Sequence, residues 1–169
     1  MPVFSLILFI VFSWAIFRML FQIPSWLYSH TKTGILFLAA YVFAFSLIES
    51  LLLLGFLLLL CFILPQRLFR GRFISQGGLL VLTCTAWALL LQYQRESFGQ
   101  SYVLELSGWL LLFLLSLLAI LFASSYLFQR FNRMQTALET IADRMIVFAW
   151  LYVPVGILSS AIVILRNIV

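Results

Sequence analysis

Glu49 is the only charged side chain between Lys32 and Arg67, where it interrupts an otherwise unbroken apolar run from Gly34 to Leu64. An ionised carboxylate in hydrocarbon is costly, so a chain keeps one where a partner offsets the cost or where it handles a proton, an ion or a ligand. The run is about 30 residues, or about 46 Å as a helix, longer than a hydrocarbon core of about 30 Å. If its spanning part is the stretch nearest Pro65, the span begins around Phe45 and Glu49 sits about one turn inside the boundary. Tyr41 then lies at headgroup level with Trp26 and Tyr28, as aromatic belts prefer.

A helix centred on the run would instead put Glu49 near the bilayer midplane; the shallow placement is favoured, and it supplies a partner. Arg18 is about one turn inside the same boundary on the preceding apolar segment, which runs antiparallel, so an Arg18–Glu49 ion pair would offset both desolvation costs. Glu105 enters the membrane from the same face. Glu49, Arg18 and Glu105 are therefore the candidates for an intramembrane ion pair or an ion or ligand site. Each has a plainer reading. Arg18 can snorkel to the headgroups, and Glu105 stands near a helix start, where negative charge is favoured. Glu49 is too short to snorkel far. Arg67, Arg70 and Arg72 are candidates for anionic-lipid contact, although topology alone explains three arginines there.

Other chemistry is missing. Cys61 and Cys84 lie inside apolar segments without a CxxC pair, and His30 is the single histidine, so neither a metal site nor a cofactor is expected. There is no GxSxG, no HExxH and no Walker-type loop. A non-enzymatic role is favoured.

The elements that must position these residues are membrane helices. The chain has 169 residues, 65% hydrophobic and 9% charged, with a mean hydropathy of +1.19; ordinary chains are nearer ~25% charged. Lipid must therefore be the solvent. The expected fold is all-α: a polytopic integral membrane helical bundle forming a single transmembrane domain over 1–169. Five spans are expected at about 3–21, 35–64, 73–91, 103–128 and 145–165, the last containing Pro154 and Gly156. The start lacks a basic region and a cleavage pattern, so it reads as a retained helix. Segment 129–144 is an amphipathic connector, with Phe128, Phe131, Met134, Leu138, Ile141 and Met145 at spacings of three or four. Small residues recur four apart, as Ala40 and Ala44, Ser46 and Ser50, and Gly156 and Ser160, a spacing that lets helices approach closely.

The net charge of +5 is carried by residues at the ends of apolar segments, which makes them topology signals rather than a nucleic-acid surface. Arg67, Arg70, Arg72, Arg130, Arg133 and Arg144 collect on the face that holds the N-terminus. That bias favours a cytoplasmic N-terminus and a C-terminus outside.

Three functions fit. The first is a small non-catalytic membrane subunit or scaffold, packing with itself as a homo-oligomer or with other membrane-protein subunits. The second is a proton, cation or small-solute transporter or channel using Glu49 paired with Arg18. The third is lipid handling or lipid-linked enzymology at the outer polar cluster. The first requires least, with membrane lipids as the other expected partners.

Overall fold

The computed structural model describes residues 2–29, 31–63, 73–94, 102–130 and 132–168. Within them, side chains are described except those of 73, 93–94, 102–106, 125–130 and 132–135. Six α-helices follow one another: α1 Pro2–Ser29, α2 Lys32–Ile63, α3 Phe73–Gln94, α4 Tyr102–Arg130, α5 Asn132–Arg144 and α6 Ile146–Ile168. No strand occurs among the described residues, and five helices (all but α5) are long and apolar enough to cross a membrane. The all-α fold and the five spans expected from hydropathy are both present.

Two compact units divide the chain, residues Met1–Phe62 with Ile141–Val169, and Ile63–Thr140. In the first, α1 and α6 run side by side in the same direction. Phe9 packs on Phe148 with ring centroids 4.7 Å apart, and Phe12, three residues on, stacks on Tyr152, four residues on, at 4.8 Å. Phe12 is fully buried and also faces Phe43 of α2 at 6.1 Å. This aromatic stack holds three helices at one level, and offset aromatic pairs add to the burial of their surface.

Helix α1 is longer than expected. It continues through Pro24 to Ser29, whereas the apolar pattern ends it at about residue 21. A proline removes one backbone donor and crowds the preceding turn, which is tolerable here in the last turns of a helix. The Ser29 hydroxyl then donates to the Ser25 carbonyl at 2.9 Å. Thr31 caps α2, its Oγ1 accepting from the Gly34 amide at 3.4 Å while its carbonyl accepts from Ile35 at 3.0 Å.

In the second unit α3 packs on α4. Only seven residues link them, a reach of about 24 Å, too short to return along the ~33 Å of α3, so the two helices are antiparallel. Trp87 locks the pair. Its indole N–H donates to Ser116 Oγ at 2.8 Å, Ser116 in turn donates to the Phe113 carbonyl at 2.7 Å, and Trp109 and Phe113 meet the indole edge-on at 5.8 and 5.9 Å. Among the buried side chains are Leu80 and Val81 of α3 and Leu117 and Leu121 of α4.

The amphipathic connector is the separate helix α5, joined to α6 through Met145 alone. The Met145 amide still reaches the Ile141 carbonyl at 3.1 Å, so the helical hydrogen bonding barely breaks. Of its apolar stripe, Leu138 and Met145 are half-buried and Ile141 is exposed; Phe128, Phe131 and Met134 lie outside the described side chains.

Candidate functional site

Helix α2 has two different faces. One is small and buried: Ala40, Ala44, Ser46 and Ser50, with Leu57 beyond them. Its hydroxyls are satisfied within the helix, Ser46 donating to the Val42 carbonyl at 2.8 Å and Ser50 to the Ser46 carbonyl at 2.7 Å. These serines therefore ask for no partner, and their role is to be short. The second face is large and exposed, with Phe45, Ile48 and Leu52 at 65%, 49% and 69% exposure. Glu49 stands on that face, also exposed.

The level of Glu49 follows from α2's register against α6. Leu47 comes so close to Gly156 that a Cβ at position 156 would lie 3.0 Å from the Leu47 Cβ. Toward the other end, Asn167 Nδ2 donates to Tyr41 Oη at 3.0 Å. There the Arg166 guanidinium also lies 4.4 Å above the Phe37 ring and 6.0 Å from that of Tyr41. As α2 numbering rises, α6 numbering falls, so the helices are antiparallel. Gly156 is near the middle of α6, and Glu49 is two residues past Leu47, so Glu49 is level with the middle of α6.

Tyr41 stands at the Arg166 and Asn167 end of α6, and Glu49 lies eight residues, about 12 Å, further along α2.

Arg18 is exposed on α1, beside the exposed Trp14, Phe17 and Phe21. No ion pair joins Arg18 and Glu49 among the described residues. Register supplies the reason. Phe12 of α1 faces Phe43 of α2, and in these antiparallel helices Arg18 lies six residues from that level in one direction and Glu49 six residues from it in the other, about 18 Å of helix rise apart. Of the other candidates, Glu105 falls within α4 with its side chain outside those described, and Arg67, Arg70 and Arg72 lie outside the described residues.

Two polar arrangements escaped the reading from sequence. The Arg166–Phe37–Tyr41–Asn167 group is one; aromatic residues near one helix start and a basic–amide pair near another helix end are its only signal. In the second unit, fully buried Ser75 donates to Glu139 Oε1 at 3.1 Å, bringing α5 to the start of α3. Beside it Gln76 is 2% exposed, and its Oε1 has no hydrogen-bond partner. The signal was a polar Ser-Gln pair opening an apolar helix, with nothing local to point at Glu139, 64 residues away. Among the described residues no three of His, Cys, Asp and Glu gather in a way that could hold a metal ion.

Fold and site together define a class: a helical bundle with five helices able to cross a membrane and one carboxylate on an apolar outer face. No family model, curated protein or solved structure matches the chain.

Proposed function

We propose that this protein is a non-catalytic integral membrane subunit, or scaffold, that works by helix packing with itself or with a larger membrane complex. One observation carries the reading. Glu49 is exposed amid Phe45, Ile48 and Leu52, level with the middle of α6. Lipid satisfies the three apolar neighbours as well as a protein would, but it offers the carboxylate no hydrogen-bond donor at that depth. A protein partner does. On this reading the N-terminus is cytoplasmic and the C-terminus outside, and Arg67, Arg70 and Arg72 meet anionic headgroups on the cytoplasmic side.

Transport draws less support. A conduction path within one chain needs polar groups facing an interior, whereas Glu49 faces out of its own unit and the buried serines Ser46 and Ser50 are spent on their own helix.

Native mass measurement after mild detergent extraction, with chemical cross-linking in the membrane beforehand, tests the proposal. The expected result is an oligomer or a stoichiometric complex with other membrane proteins. A strict monomer with no co-purifying protein would contradict it.

A further inference from the structure

The start of α3 is buried on every side and holds polar groups there. Ser75 is 0% exposed and Gln76 2%, and Gly77 and Gly78 are buried as well. Four successive residues cover the whole circumference of a helix, so this turn is enclosed all round. Its polar groups do not balance. Ser75 spends its one hydroxyl proton on Glu139 Oε1 at 3.1 Å, and the Oε1 of adjacent Gln76 has no hydrogen-bond partner. An acceptor buried in that way is rare and asks for a water or an ion. There is also room. Gly78 follows Ser75 by three residues and shares its side of α3, yet a Cβ added at Gly78 would meet no atom within 4 Å.

We infer that this place binds a monovalent metal cation, sodium or potassium, held by Gln76 Oε1, Ser75 Oγ and the Glu139 carboxylate. All three ligands are oxygen. The amide carbonyl, the lone pairs that the Ser75 hydroxyl keeps while it donates, and a carboxylate able to accept about four contacts are hard ligands. Carbonyl oxygens in particular replace the hydration shell of monovalent cations in membrane proteins. One carboxylate balances one positive charge, whereas calcium sites gather several. Gln76 lies about 100° round α3 from Ser75, and its side chain is long enough to bring its oxygen to the side that Glu139 approaches. Two of the three ligands are neutral, so the site does not register as a cluster of His, Cys, Asp and Glu. The cation ties α5 to the start of α3, adding to the single Ser75–Glu139 bond.

Thermal unfolding of the full-length chain in mild detergent, in sodium, potassium or choline chloride at equal concentration, tests the site. Choline carries the same charge but is too large to enter. Sodium or potassium is expected to raise the unfolding midpoint above that in choline by about 2–4 °C, saturating as the salt is raised. Gln76→Leu is expected to erase that difference. In choline chloride it should unfold no lower than wild type, since it removes an orphaned acceptor. Gly78→Leu, which fills the open space, is expected to erase the difference too. Equal midpoints for the wild type in all three salts would mean that the place holds water or nothing, and would overturn the inference. A cation response that survives in Gln76→Leu would overturn it as well. If Gln76→Leu does not fold, Gly78→Leu decides by the same criterion.

Discussion

Helices α2 and α6 lie antiparallel in one unit and both turn a broad apolar face outward, yet the two faces differ in one respect. On α6 the exposed residues through the span, Val147, Trp150, Leu151, Ile157 and Leu158 among them, are apolar. Its charged group waits until Arg166, at the helix end, where the guanidinium lies over Phe37 and the neighbouring Asn167 holds Tyr41. On α2 the charged group comes in the middle of the face. A charge at the end of a spanning helix is an anchor, since headgroups and water are within reach. The same kind of group in the middle has no such recourse, and at the centre of a spanning helix it costs about 2.5–3.5 kcal/mol. On the proposed reading, the difference separates a face that suits lipid from one that suits a protein.

Transplanting the charge should produce the largest effect. Leu158→Glu puts a carboxylate in the middle of α6's outward face with no complement. We expect membrane insertion of the last helix to become less favourable by about 2.5–3.5 kcal/mol, read as the fraction of that helix spanning in a glycosylation-mapping assay. Insertion equal to wild type would remove the distinction between the two faces.

Next comes the contact that sets their register. Gly156→Leu drives a side chain into Leu47, and because the first atom it meets is a Cβ, the helices themselves must part. A loss of about 1–3 kcal/mol is expected for such overpacking, measured by denaturant unfolding in mixed micelles. Unchanged stability would mean that α2 and α6 do not pack at this level, and the depth assigned to Glu49 would lose its basis.

The anchors at the end should matter less. Arg166→Ala removes the cation above Phe37 and is expected to cost about 0.5–1 kcal/mol, the usual value at exposed sites. Tyr41→Phe removes the hydroxyl that Asn167 holds and should cost about 0.5 kcal/mol or a little more, since Asn167 keeps its bond to the Val163 carbonyl. Losses from these changes larger than that from Gly156→Leu would reverse the ranking of end and middle.

How much of this was legible beforehand follows from the range of each interaction. The five spans were, because a run of about twenty apolar residues states its own length requirement. The end of α1 was misplaced because the apolar pattern stops at about residue 21, whereas the helix continues through Pro24 to Ser29. Glu49 stood out by type alone. Its level against α6 and its distance from Arg18 did not, because both depend on which residues of neighbouring helices meet. Close approach at Gly156 was visible as a small-residue spacing, but not that Leu47 would fill it. The Ser75–Glu139 bond lay beyond reach, being a meeting of segments far apart in sequence.

The central claim is that Glu49 marks a surface that binds protein. Its most direct measurement is photocross-linking in native membranes from positions on the two outward faces, with a benzophenone side chain at Leu52 on α2 or at Leu158 on α6. A discrete protein adduct from Leu52, and lipid adducts alone from Leu158, is the predicted result. Lipid adducts alone from both positions would contradict it.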